Sequence, residues 1–325
     1  MSATPREVAQ AYADCLVSGD FERLTRLHHP DMVCSLLGDT RVSGRYVGRD
    51  AFFAHTFEHV LGRLEETNEQ YLKEARVACA GGDYAVLLLR GGLPTKIGGR
   101  YDQNYMQCFR VVDGQAVENH EMLDSVMLET QVYGKSLTIP RDDPAERLSP
   151  GRRALNPGND GTPVRPVADA FMQSLNDCDG RHILDLLSSD AVLQVAGSNP
   201  HSGVFRGAAA IAALLGAELS GYREASLEWT RHPWLVCQDE EAFCVLAEAR
   251  ASLADGQPYA QTFGCLAQCR SGRINELYIY FDTAAQERQR WRNPLDGPAI
   301  EREVPALRAE PTPLKDIIGA RGDGQ

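Results

Sequence analysis

Basic charge is what this chain has least of. Its 325 residues carry 33 Lys and Arg against 45 Asp and Glu, a formal net charge of −12. Nucleic acids and anionic membrane surfaces are bound by clustered cations. No dense Lys/Arg stripe occurs here, so neither partner is expected. Long apolar runs are missing too, and none approaches the roughly 20 residues needed to cross a bilayer. The opening Met1-Ser2-Ala3-Thr4-Pro5-Arg6-Glu7 lacks the charged and apolar regions of a secretory leader and passes straight into a helical pattern. The 9 cysteines are odd in number, scattered, and contain no Cys-x-x-Cys pair. That usage predicts a reducing, cytoplasmic setting, with thiols serving as small core hydrophobes. Cys265 and Cys269 fall on a predicted strand, too far apart to share a zinc ion. His55 and His59 have a metal-compatible spacing but no third ligand. Neither a metal nor an organic cofactor is expected.

What the chain does have is a repeat. Val8-Ala9-Gln10-Ala11-Tyr12 recurs as Val167-Ala168-Asp169-Ala170-Phe171, an offset of 159 residues. Asp31, Gly38, Ser43-Gly44 and Gly48 recur at the same offset as Asp190, Gly197, Ser202-Gly203 and Gly207. Further on the offset becomes 158, matching Tyr101-x-Gln103 with Tyr259-x-Gln261, Gly114 with Gly272, and Asp124 with Asp282. A period this long indicates a duplicated domain, not a solenoid. Between the copies, residues 139–164 hold five prolines and the string Asn156-Pro157-Gly158-Asn159-Asp160-Gly161, the composition of a disordered linker. The predicted organisation is a domain over 1–138, a linker over 139–164, a second domain over 165–290 and a tail over 291–325 draped on the surface.

Each copy shows the same order of elements. Val8, Ala11, Tyr12, Cys15 and Leu16 have the 3.6-residue period of one buried helix face. A short helix, a strand over Met32–Leu37 and a third helix from about Arg49 follow. Strands then end the unit, with Asp113-Gly114 as a hairpin turn. Helices first and an antiparallel sheet after make an α+β domain.

Tyr12, Gly19-Asp20, Asp31, the Gly44…Gly48 loop and the ending Phe109-Arg110-Val111-Val112-Asp113-Gly114…Asp124 resemble the SnoaL-like polyketide cyclases. Those belong to the nuclear transport factor 2-like fold, shared with ketosteroid isomerases, limonene epoxide hydrolases and scytalone dehydratase. The resemblance covers about 1–135 and 165–290. It implies two tandem cones, each a curved sheet wrapped around N-terminal helices with an apolar pocket inside. It also implies that Tyr12 stands where ketosteroid isomerases keep an oxyanion-hole tyrosine. Their general base would fall at Leu36, and at Val195 in the second copy, and neither residue can take a proton. The middle-strand aspartate of limonene epoxide hydrolases would fall near Gly91. Only the last-strand acid remains, as Asp124 and Asp282.

Strand alternation puts His120, Met122 and Asp124 on one face of the last strand and Glu121 and Leu123 on the other. If the first face looks inward, Asp124 moves a proton, His120 tunes it, and Tyr12 or Tyr101 steadies an oxyanion. The alternative is that Asp124 and Asp282 end their strands by accepting backbone N–H groups. Candidate substrate contacts are Asp102, Gln103, Asn104, Tyr105 and His28, with Tyr259, Tyr278, Tyr280 and Asp282 in the second copy. His28, opposite Leu187 of the repeat, is also read as a packing residue. Copy two replaces Tyr12, Asp102, Asn104, Tyr105 and His120 by Phe171, Ala260, Thr262, Phe263 and Tyr278, so the first copy is expected to be the active one. The expected function is cofactor-independent acid/base chemistry of the lyase or isomerase type on a small hydrophobic, aromatic-compatible substrate. A non-catalytic binding protein is the other reading. The two sheets are expected to pair as an intrachain pseudo-dimer through Leu123, Val126, Ile279 and Phe281, with further homo-oligomerisation left open.

Overall fold

The computed structural model describes residues 2–296 except 143, 148, 152, 156, 157, 178, 224 and 225. The expected tail therefore lies outside the described residues from position 297 onward. Helix α1 (Pro5–Ser18) starts with a capping box, in which the Thr4 side chain accepts from the Glu7 amide while the Glu7 carboxylate accepts the Thr4 amide at 2.8 Å. It stops at Gly19, whose φ of 74° is a left-handed conformation suited to glycine. Next come α2 (Phe21–Arg26), β1 (His28–Leu36), β2 (Gly44–Val47), α3 (Arg49–His59), β3 (Leu72–Gly81), β4 (Tyr84–Pro94), β5 (Arg100–Val112), β6 (Gln115–Leu123) and the single turn α4 (Ser125–Met127).

The six strands form one sheet in the order β2-β1-β6-β5-β4-β3. It is mixed, where a purely antiparallel one was expected: β6 returns alongside β1 in the same direction. The second copy repeats this plan with α5 (Arg165–Asn176), α6 (Gly180–Asp185), β7 (Leu187–Val195), β8 (Gly203–Arg206), α7 (Ala208–Ser220), β9 (Glu228–Gln238), β10 (Ala242–Ser252), β11 (Pro258–Arg270), β12 (Arg273–Phe281) and α8 (Thr283–Gln289). Its strand order, β8-β7-β12-β11-β10-β9, is the same. The architecture is α+β with two domains.

Each sheet is buried on both faces. The inner face of the first packs on its own helices, with Tyr12, Phe52, Leu87 and Phe109 in one core. The outer faces of the two sheets share a second core built from Leu88, Met106 and Met122 on one side and Leu246, Leu266 and Tyr280 on the other. The residues expected at this contact lie elsewhere. Leu123 is in the inner core of the first domain and Ile279 and Phe281 pack on that of the second, while Val126 packs with Leu137 and Ala284. The alternation along β6 and β12 is as expected, but the face assigned to the interior is the opposite one. Contact between the sheets is close enough to require glycine at 264, where a Cβ would stand 2.1 Å from Met106 Cε and 2.4 Å from Met122 Sδ. The eight described cysteines are free and buried, and Cys79 and Cys237 meet across the contact at 3.2 Å between sulfurs.

Polar groups join the copies at the end of β6 and β12. Asp124 caps α4 by accepting from the Met127 amide at 3.2 Å, and Asp282 caps α8 by accepting from the Ala285 amide at 3.2 Å. Each carboxylate also receives a hydroxyl from the other copy: Ser125 Oγ donates to Asp282 at 2.6 Å and Thr283 Oγ1 to Asp124 at 2.6 Å. The hydroxyls in turn accept backbone amides, from Ala284 at 2.8 Å and Val126 at 3.0 Å. The segment between the copies does not lie free. Arg76 donates to the Pro150 carbonyl, the Ala154 amide to Glu276, and Asp160 accepts from Ser271. Ala154 and Leu155 add apolar cover to the shared core. Its prolines rule out helix and ladder but do not prevent anchoring by polar contacts.

Removing one hydroxyl of the exchange leaves a buried carboxylate short of a donor, a loss of about 1–3 kcal/mol. Ser125→Ala and Thr283→Val are each expected to lower the urea midpoint accordingly. An unchanged midpoint would show that the exchange adds nothing to stability.

Candidate active site

A cavity of about 420 Å³ opens inside the first cone, between the sheet and helices α1–α3. Twenty-one residues line it, most of them apolar, and Glu121 is the one carboxylate among them. β6 carries Glu121 inward directly opposite Gln107 of β5, so the Gln107 amide donates to Glu121 Oε2 at 2.7 Å. On its other side Glu121 neighbours Leu36 of β1, the position where the resemblance would put a base. The acid is present, one strand over.

Burial, against the opposing pull of the Gln107 hydrogen bond, pushes the Glu121 carboxyl up to about 7. Around it stand tyrosine hydroxyls. Tyr71 and Tyr105 share a hydrogen bond at 2.6 Å, and Tyr105 donates to Tyr101 at 3.2 Å. Tyr12 adds a fourth phenol to the lining. Burial raises the pKa of each of these four, and the Glu121 charge adds to the rise at Tyr12, Tyr71 and Tyr101. They remain protonated hydrogen-bond donors at neutral pH. A basic carboxylate beside neutral hydroxyls in an apolar chamber can remove a proton and stabilise the resulting oxyanion.

The sequence reading had this strand inside out. Tyr12, Tyr101 and Tyr105 do line the cavity, but Asp124 and His120 do not. His120 faces the second domain, its ring 5.8 Å from that of Trp234 at 90°. Burial lowers its pKa, Arg45 adds to that, and Glu118 opposes it. Asp124 is occupied by the exchange of caps. Gln103 is scaffold as well: it donates to the Asp124 carbonyl and accepts the Asp124 amide at 3.0 Å, and Gln261 does the same for Asp282. Asp102 pairs with Arg100 at the surface, and Asn104 is buried away from the cavity. His28 packs among Tyr12, Phe53 and Phe109, with burial taking its pKa down to about 4.

In the second copy Tyr278 stacks under the Arg76 guanidinium and Tyr280 donates to the Tyr105 carbonyl, both in the contact between sheets. Asp282 sits in the same contact, its pKa raised by burial and lowered by Ser125. Tyr259 packs on Tyr222 beside a shallow depression.

The signal that was missed lay in the repeat itself. At the offset of 158, Glu121 and Gln107 correspond to Ile279 and Cys265. The interior face of β12 is the apolar one, with Leu277, Ile279 and Phe281, and that identifies the matching face of β6.

Residues 9–119 match the model of the SnoaL-like domain. The chain contains a SnoaL-like domain. Among solved structures, a nuclear transport factor 2-like protein from Burkholderia xenovorans is 21% identical over 39% of this chain and 94% of its own, with a TM-score of 0.34. A protein named as a candidate polyketide cyclase from Xanthomonas campestris is 20% identical over 39% and 95%, with a TM-score of 0.33. No protein of curated function matches. Among the described residues of the SnoaL-like domain and its repeat, no helix is long and apolar enough to cross a membrane. No group of three or more His, Cys, Asp or Glu side chains there could hold a metal ion.

Asp124→Asn separates the two faces of the strand. It is expected to lower the melting temperature by weakening the interdomain exchange, while an apolar fluorescent probe binds the first cavity with unchanged affinity. A lost probe site in a folded variant would put Asp124 back in the cavity.

Proposed function

We propose that the first SnoaL-like domain is a cofactor-independent acid/base catalyst of the lyase or isomerase type, acting on a small, largely apolar carbonyl compound. Glu121 takes the proton from the carbon beside the carbonyl, and Tyr12 or Tyr101 donates a hydrogen bond to the enolate oxygen that forms. The protonated Glu121 then returns the proton to another atom, or gives it to a leaving oxygen. Isomerisation, aldol-type cyclisation or cleavage, and dehydration share that enolate, so the substrate decides among them. The observation that carries this reading is a buried carboxyl with a pKa of about 7 in an apolar cavity. A general base serves best when its pKa lies near the working pH. The second domain has Phe171, Phe263, Cys265 and Ile279 at the positions of Tyr12, Tyr105, Gln107 and Glu121. Its role in this proposal is to cover the back of the first sheet as an intrachain pseudo-dimer partner.

One observation favours the second reading, a carrier that holds its ligand unaltered: the cavity offers a single carboxylate. Ligand recovered unchanged after long incubation with the protein would support it.

Glu121→Gln tests the catalytic reading. It is expected to lower kcat about 10²- to 10⁴-fold, while the wild-type rate rises with pH through about 7 as the base ionises. An active Glu121→Gln enzyme would end the proposal.

Stability supplies an independent measurement. Folding holds this carboxyl near 7 against an ordinary value of 4.5. The folded state therefore binds the extra proton between those pH values, and wild-type stability falls as pH rises through that window. The shift corresponds to about 3 kcal/mol. Glu121→Gln is expected to gain up to that amount over wild type at pH 8, and the gain should vanish near pH 4. Equal pH dependence of the two proteins would mean that the carboxyl is not buried.

A further inference from the structure

Phe57 and Phe21 are the most exposed large hydrophobic residues among those described, at 67% and 58%. Both line the first cavity. Phe21 opens α2 and Phe57 lies near the end of α3, so two elements bring them to the helical side of the cone, where the lining reaches solvent. Leaving two phenyl rings in water is unfavourable, and neither contributes to the buried core. Exposed apolar surface at the rim of a concave site is the mark of a binding surface awaiting a ligand.

The repeat supplies a second, independent observation. At the offset of 159 that holds from α1 to the start of α3, Phe21 corresponds to Gly180 and Phe57 to Gly216. Gly216 lies inside α7, where glycine weakens a helix. A Cβ there would meet nothing within 4 Å. Packing does not require glycine at that place, and the core does not require phenylalanine at its counterpart. The copy that lacks the acid also lacks both rim rings. Tyr12, Tyr105, Gln107, Glu121 and both rim rings are present together in one cone and replaced in the other, which keeps Tyr259 as the counterpart of Tyr101.

Charge narrows the ligand. Among the described residues no Lys, Arg or His side chain lines the cavity, and Glu121 is its one carboxylate. An anionic ligand would be desolvated with no cation to pair it, beside a carboxylate of the same sign. The geometry points to Phe21 and Phe57 as the specificity-determining residues of this cavity. Their rings hold the unreactive aromatic end of an uncharged ketone whose carbonyl lies among the tyrosine hydroxyls at the floor. This assignment rests on the proposed function only for the placement of the carbonyl; the rim itself is a binding claim.

The test is a titration with the neutral naphthalene ketone 6-propionyl-2-dimethylaminonaphthalene, followed by its fluorescence, on the full chain. Wild type is expected to bind it. Phe21→Ala and Phe57→Ala should each raise Kd about five- to tenfold, the loss of roughly one phenyl contact. Val47→Ala, a change at an exposed residue outside the lining, should leave Kd unchanged. In competition at pH 8, 2-acetylnaphthalene should displace the probe and 2-naphthoate should not. Wild-type affinity in the Phe21→Ala, Phe57→Ala double variant overturns the rim assignment. Equal competition by the carboxylate overturns the preference for an uncharged ligand. An active Glu121→Gln enzyme that still needs both phenylalanines for binding would end the catalytic reading and leave the rim standing.

Discussion

A sheet that must hide both of its faces governs this molecule. A curved sheet with helices in its hollow leaves its convex side in water, and here that side is apolar: Leu88, Met106 and Met122 in the first domain face Leu246, Leu266 and Tyr280 of the second. Burying such surface is the dominant favourable term in folding and association. Once the backs of the sheets are committed to each other, every alternate residue of the central strands is committed too. His120 and Met122 go to the contact, and Glu121 and Leu123 go to the cavity. The chemistry available inside the cone is what remains after the contact has taken its share.

That division also explains two acids with opposite roles three residues apart. Asp124 lies just past the end of β6, where the chain turns into a helix, and it is bound by a backbone amide and a threonine hydroxyl. Glu121, three residues earlier, accepts from Gln107 in surroundings of Leu and Tyr side chains. The first carboxylate has two donors on one oxygen. The second is poorly solvated, and a poorly solvated carboxylate is a stronger base.

Much of the fold was legible in the chain. The repeat, the helical period of Val8 to Leu16 and the Asp113-Gly114 turn reflect local chemistry that survives without knowledge of tertiary contacts. The face of β6 was not legible from β6 alone, because His120–Met122–Asp124 and Glu121–Leu123 are equally mixed sets. A contact between sheets buries residues as thoroughly as an interior does, so polarity could not tell them apart. Asp124 drew attention because both copies keep it. It is kept for the exchange of caps, and Glu121, which differs between copies, carried the information. The linker misled for a related reason. Proline and glycine report on helices and ladders, whereas the contacts of Arg76, Glu276 and Ser271 with that segment are tertiary.

Met106 of one sheet stands over Gly264 of the other, and these are the same position of the repeat. Two identical copies could not arrange themselves so: two methionines would collide there, and two glycines would leave a hole. The knob and its socket need two partners that differ, as the two copies tied in this polypeptide do. The fusion is in that sense a ratchet. Each such pair removes the option of separating the halves, because neither is any longer a mate for itself.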